Sequence, residues 1–174
     1  MANRVLLLCL VAGLSALPAT AAVATQPAGT VSAESVTVSD ARGEQKTVAD
    51  LISGQPTILH FWATWCAPCR EELPRLDAFA SGLESGGLGG RLVVISVDTK
   101  PHQRITAFLD EVGATHLTDW QIAEGNAGSA FRLFGYPATL LMRPDGTLAE
   151  RLSGPVDWDD PDIRNRFTTF LRGE

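Results

Sequence analysis

The chain has 174 residues, enough for one ordinary domain with a sizeable core. Apolar residues make up 45% and charged residues 20%, the composition of a globular protein rather than a disordered one. A formal net charge of -6 with no long basic run argues against a nucleic-acid partner, and three cysteines without a second CxxC pair exclude a disulfide-stapled scaffold and a zinc ribbon.

Arg4 precedes an apolar run from Val5 to Leu14 that is too short to span a bilayer comfortably. Pro18 breaks any helix there, and Ala19-Thr20-Ala21 and Ala22-Val23-Ala24 are small-x-small cleavage sites. Residues 1–22 are read as a secretory signal peptide, with an uncleaved membrane anchor as the alternative. Cys9 follows Leu8, not the small residue that a lipoprotein signal requires, and would leave with the signal. The mature chain would keep only Cys66 and Cys69, outside the cytoplasm in a periplasm or similar space, where such a pair either cycles or stays a small local disulfide. Residues 23–35 are small and polar and predict a flexible tether, with the folded domain over 36–174.

Val36 and Val38 alternate with Thr37 and Ser39, and Asp40-Ala41-Arg42-Gly43 turns the chain, which predicts an N-terminal β-hairpin. Val48, Leu51 and Ile52 suit one helical turn before Gly54-Gln55-Pro56. The unbroken apolar and β-branched run over 57–62 is the mark of a strand covered on both faces, and 91–98 is a second. Between them Leu73, Leu76, Ala80 and Leu83 recur at helical spacing, with Pro74 inside and expected to kink the helix. Ser85 to Gly90 is a loop. Ile105, Phe108, Leu109 and Val112 predict a helix stopped by Gly113.

A short strand is expected around Trp120-Gln121-Ile122, then a short helix holding Ala127, Ala130, Phe131 and Phe134. After Pro137 come strands over 139–142 and 148–152, joined by Arg143-Pro144-Asp145-Gly146 as an antiparallel hairpin. Asp160-Pro161 is a cap and first turn for a last helix burying Ile163, Phe167, Phe170 and Leu171. Strand and helix alternate, which argues for an α/β sheet with parallel neighbours.

Two cysteines three apart, after a buried strand and opening a helix, form a redox hypothesis: Cys66 attacks and Cys69 resolves. Cys66 at the helix N-terminus would meet free N–H groups and the positive end of the dipole, which favour a thiolate. Cys69 lies one turn in, better shielded, and would release the client by attacking the mixed disulfide. Pro68 costs little in the first turn and restrains it. A purely structural pair would close a loop too short to stabilise much.

Phe61-Trp62-Ala63-Thr64-Trp65-Cys66-Ala67-Pro68-Cys69-Arg70-Glu71-Glu72-Leu73-Pro74 closely resembles the active-site segment of the TlpA/ResA-like thioredoxin-fold reductases. The hairpin before it, the strand and helix before Pro137, and the turn at 143–146 match as well, so the resemblance covers roughly 36–172. It implies a thioredoxin-like α/β fold with a central mixed sheet flanked by helices, an N-terminal β-hairpin and a short strand-helix insertion before a cis-proline. It implies an exported protein thiol–disulfide oxidoreductase with no cofactor beyond the Cys66–Cys69 pair. Protein disulfides would be its clients, for example in cytochrome c maturation, and a thiol-transporting membrane electron donor would recharge it. No metal, no nucleic acid and a monomer are expected.

The same resemblance places a cis Pro137 against the two cysteines and lets the Tyr136 backbone pair with an extended client, beside Trp65, Ala67 and Pro68. Trp65 would cover part of the exposed sulfur, whereas Trp62 is read as core. The chain departs from its relatives at His60, where many carry Asn, and at Ala138, where Thr is frequent. On a buried strand six positions before Cys66, His60 is either the proton shuttle of the resolving thiol or a core histidine bonded to a carbonyl. Arg70, Glu71 and Glu72 are expected on a solvated helix face, and His102 and His116 without special roles; Asp98 is read as a solvated strand-end carboxylate, although the resemblance also implies that acidic groups near that strand end can approach the active site. Two alternative functions remain at this level: a copper- or metal-binding chaperone using Cys66, Cys69 and a histidine, and a disulfide-forming oxidant on the same fold.

Overall fold

A computed structural model describes residues 31–174 other than 53 and 119, together with the backbone of 24–26. The expected signal peptide, 1–22, lies outside the described residues. The strands are β1 (Ala24–Gln26), β2 (Thr37–Ser39), β3 (Gln45–Thr47), β4 (Thr57–Trp62), β5 (Leu92–Ser96), β6 (Trp120–Glu124), β7 (Ala138–Met142) and β8 (Leu148–Ser153). The helices are α1 (Val48–Ile52), α2 (Ala67–Ser85), α3 (His102–Glu111), α4 (Ala127–Phe131) and α5 (Pro161–Arg172). Among the described residues the eight strands form one mixed sheet in the order β1-β8-β7-β4-β5-β6-β2-β3. β4 runs parallel to β5 and antiparallel to β7, and β5 runs parallel to β6. This is the thioredoxin-like α/β architecture that the resemblance implied.

β4 is central and buried along its whole length, which explains its unbroken apolar run. Its side chains alternate between two cores. Leu59 and Phe61 point to one, with Phe131, Leu140 and Met142. Ile58 and Trp62 point to the other, against α2 and α5. Trp62 is fully buried and stacks on Phe108 at 5.9 Å, as core. α2 presents Cys69, Leu73, Leu76, Ala80 and Leu83 to that core and continues through Pro74, which offers no N–H to the carbonyl of Arg70.

Several expectations are corrected. Stretches of the expected tether are structured: 24–26 pair antiparallel with β8, Ala33 is buried, and Ser32 N donates to the carbonyl of Ala130. The expected N-terminal hairpin is present as β2–β3, and β2 pairs further with β6, so the hairpin extends the sheet. Phe134 does not belong to α4: the helix ends at Phe131, Arg132 turns left-handed at φ 52°, and Phe134 stands 83% exposed. In α5 Phe167 and Leu171 are buried, while Ile163 and Phe170 are half-buried and Trp158 fills the space ahead of the helix. β5 stops at Ser96 rather than Asp98: the Trp62–Ser96 pair is the last rung of its parallel ladder with β4, closed by Val97 N donating to the carbonyl of Trp62. Among the described residues no helix is long and apolar enough to cross a membrane.

Candidate active site

β4 ends at Trp62 and the chain turns sharply: Cys66 N donates to the carbonyl of Ala63 at 3.1 Å, and α2 begins at Ala67. Cys66 is the N-cap, and its Sγ accepts from Cys69 N at 3.3 Å. A disulfide joins Cys66 to Cys69 with their Cα atoms 5.3 Å apart. Cys66 is 6% exposed and Cys69 not at all, so a partner reaches the pair from the Cys66 side. The first turn carries no acid to oppose a thiolate at the positive end of the helix. Ala67 and Pro68 are exposed on its rim.

The Tyr136–Pro137 peptide bond is cis. Pro137 is buried next to Ala138, which pairs with Phe61 of β4, so it sits at the strand end where the cysteine turn leaves the sheet. The Trp65 ring, 63% exposed, meets Tyr136 edge-on at 5.9 Å. Burial raises the Tyr136 phenol above its ordinary pKa. Trp65 and Tyr136 form one end of a cleft of about 560 Å³ that continues past Asp98, Gln121 and Ile122. Ala67 and Pro68 thus lie between the paired Cys66 and Cys69, Trp65 precedes them and meets Tyr136, and Pro137 stands at the neighbouring strand end.

His60 lies on the same face of β4 as Trp62 and is fully buried. Its Nδ1 is 3.0 Å from Thr139 Oγ1, and its ring meets Trp158 edge-on at 5.6 Å. Its Nε2 lies 3.4 Å from Glu72 Oε1, close enough for an ionic contact, although neither atom has hydrogen-bond geometry to a partner. The expectation of a solvated Glu72 is overturned: it is 1% exposed, and its Oε2 accepts from Val156 N at 3.0 Å and Trp158 Nε1 at 2.9 Å. Arg70 and Glu71 are exposed, as expected. Glu72 follows Cys69 by three positions and precedes Leu76 by four, so helical spacing puts it on the buried stripe. That spacing is the sequence signal for its burial, and its charge points the other way.

The solvated reading of Asp98 fails, since it is 3% exposed and faces the turn before Cys66. Its Oδ2 accepts from Thr64 N at 2.7 Å and Ser96 Oγ at 3.0 Å, and its Oδ1 from Thr64 Oγ1 at 2.8 Å. His116 is not idle either: its backbone N and Nδ1 meet the Asp77 carboxylate at 2.6 and 2.9 Å, and that hydrogen bond raises the imidazole pKa above 6.5. Among the described residues no cluster of three or more His, Cys, Asp or Glu is arranged to hold a metal ion.

The AhpC/TSA family matches residues 30–151. The thiol:disulfide interchange protein HelX of Rhodobacter capsulatus is 31% identical over 113 residues, 65% of this chain and 60% of that protein. The thiol-disulfide oxidoreductase ResA of Oceanobacillus iheyensis is 30% identical over 119 residues, 67% of this chain and 59% of that protein. The chain thus spans about three fifths of the length of these curated relatives. The thioredoxin domain of a thiol-disulfide oxidoreductase from Bacteroides vulgatus superposes with a TM-score of 0.62 at 18% identity, covering 84% of this chain and 99% of that one, a likeness of fold.

Proposed function

The chain belongs to the AhpC/TSA family, and from that premise we propose that it is an extracytoplasmic thiol–disulfide oxidoreductase that reduces protein disulfides with Cys66 and Cys69. The observation that carries this reading is the disulfide at the start of α2, with Cys66 at the helix N-cap and Cys69 enclosed behind it. The reduced pair acts in two exchanges. The Cys66 thiolate attacks one sulfur of the client disulfide, a mixed disulfide forms, and the other client sulfur leaves as a thiolate that takes up a proton. Cys69, deprotonated, then attacks Cys66 Sγ and expels the second client thiolate. Two electrons and two protons pass to the client, and the enzyme pair is oxidised.

The proton of Cys69 needs an acceptor in a buried place. Glu72, one turn further along α2, and His60 beside it at 3.4 Å form a buried acid–base pair suited to that step. Trp65, Ala67, Pro68 and the Tyr136 backbone receive the client, with Pro137 behind them. The names of the relatives support disulfide interchange, and the resemblance to TlpA/ResA-like reductases supports a client in cytochrome c maturation and recharging by a thiol-transporting membrane donor. The signal pattern over 1–22 supports export, and a monomer accords with the reading.

A reduction potential below about −200 mV is expected, and a value near −120 mV would turn the reading to an oxidant. Cys69→Ser is expected to trap client as a mixed disulfide that Cys66→Ser does not form. Stoichiometric Cu(I) binding by the reduced protein, lost in Cys66→Ser, would instead favour the metal chaperone. For the acid–base pair, the Cys69 thiol titration is expected to shift in His60→Asn; coincident curves would remove His60 from the proton step.

A further inference from the structure

We infer that Asp98 is the positioning residue of the attacking cysteine, acting through Thr64; this rests on the oxidoreductase reading above. A carboxylate this enclosed is costly unless its lone pairs are met by donors. Among the described residues no Lys, Arg or His pairs with it, and Lys100 reaches past it to Thr64 Oγ1 at 3.0 Å. Two of the hydrogen bonds around it instead tie one place in the chain, Thr64 N to Oδ2 and Thr64 Oγ1 to Oδ1, while Ser96 Oγ to Oδ2 is the brace from β5. Asp98 is itself braced, since its N donates to Ser96 Oγ at 3.1 Å and its carbonyl accepts from Gln121 Nε2 at 2.8 Å.

Thr64 is the middle of the turn that Ala63 O and Cys66 N close. That turn links the rigid end of β4 to the first residue of α2. Fixing both the N–H and the hydroxyl of Thr64 sets the direction in which Cys66 leaves the sheet, and so the line along which its sulfur meets a client. A misplacement of about 1 Å at a reacting atom is enough to cost roughly 100-fold in rate. Asp98 also forms part of the wall of the cleft that begins at Trp65 and Tyr136, so the same carboxylate steadies the nucleophile and the surface beside it.

The charge of Asp98 and its geometry make opposite predictions, which makes the inference testable. Removing a nearby negative charge lowers a thiol pKa and populates the thiolate. Removing a positioning contact lowers the rate at which the thiolate, once formed, attacks. The experiment follows attack of the reduced protein on a small aromatic disulfide across pH. The midpoint gives the Cys66 pKa and the high-pH plateau gives the rate constant of the thiolate.

Thr64→Val removes the hydroxyl at nearly constant shape, and its plateau is expected to fall about tenfold, the size of one lost hydrogen bond to a charged group. Thr64→Ser is expected to return the plateau to within about twofold of wild type, as one hydrogen bond is restored. Asp98→Asn is expected to lower the plateau at least as far while its thiol pKa falls. A wild-type plateau in either Thr64→Val or Asp98→Asn, in a protein whose melting shows it folded, would overturn the inference. Should one of the two not fold, the other decides. Wild-type protein that fails to attack the disulfide at all would defeat the oxidoreductase reading, whereas an active wild type with an unaffected Thr64→Val defeats only the role of Asp98.

Discussion

Glu72→Ala strands two buried donors, Val156 N and Trp158 Nε1, which the carboxylate accepts at 3.0 and 2.9 Å. Each unsatisfied buried donor costs about 1–3 kcal/mol, so the two together cost about 2–6 kcal/mol. Removing a buried carboxylate also returns its desolvation penalty, which makes the raw effect of Glu72→Ala hard to apportion. Glu72→Gln removes the same charge but keeps an oxygen able to accept both donors. The difference between the two variants therefore isolates the stranded N–H groups, with Ala about 2–6 kcal/mol below Gln plus the cavity left by the shorter side chain. Total stabilities of about 5–15 kcal/mol make such a gap plain in urea unfolding of the oxidised protein at neutral pH. Alanine and glutamine variants within about 1 kcal/mol of each other would show that the 156–158 segment is not held to α2 by this carboxylate.

Gly125 sits at φ 89°, and a Cβ there would run into the carbonyl of Ser35, so Gly125→Ala is expected to cost about 1–3 kcal/mol from backbone conformation alone, with a matching fall in melting temperature. The pKa of His116 is raised in the folded state by the Asp77 hydrogen bond, so its contribution to stability is complete below about 6.5 and is lost as pH rises through the folded value. Thermal melts from pH 6 to 9 should therefore decline, and His116→Gln should flatten that decline; equal slopes would refute the coupling. Trp65→Ala, at a site 63% exposed, should leave stability within about 0.5 kcal/mol while raising KM for a protein disulfide several-fold more than for dithiothreitol.

What could be read in advance follows from how local each signal is. β4 and β5 announce themselves because strands enclosed on both faces need no polar alternation. The β7–β8 hairpin is legible in its Pro-Asp-Gly turn, and the cysteine pair in the strand before it and the helix after it. The docking of β2 onto β6, and of residues 24–26 onto β8, was not legible, since pairing across distant sequence leaves no local mark. Glu72 and Asp98 were not legible for one shared reason: charge argues for solvent, and only their partners reverse it. Those partners are a tryptophan N–H far along the chain and the turn just before the nucleophile. Phe134 was drawn into a helix by its apolar character, and the left-handed Arg132 that ends that helix is not a residue type that advertises such a turn.

The partners of Glu72 lie 84 and 86 positions beyond it, and the hydroxyl beside His60 is 79 positions away. A chain made from its N-terminus exposes both thiols long before those groups exist. Until Trp158 arrives, the acid one turn behind Cys69 stands in water and its neighbouring histidine has no indole over it. The redox pair is thus among the early parts of the chain to appear and its proton chemistry among the last to be completed. A fragment ending short of Trp158 would carry two cysteines at a helix start without the enclosure that distinguishes one thiol from the other.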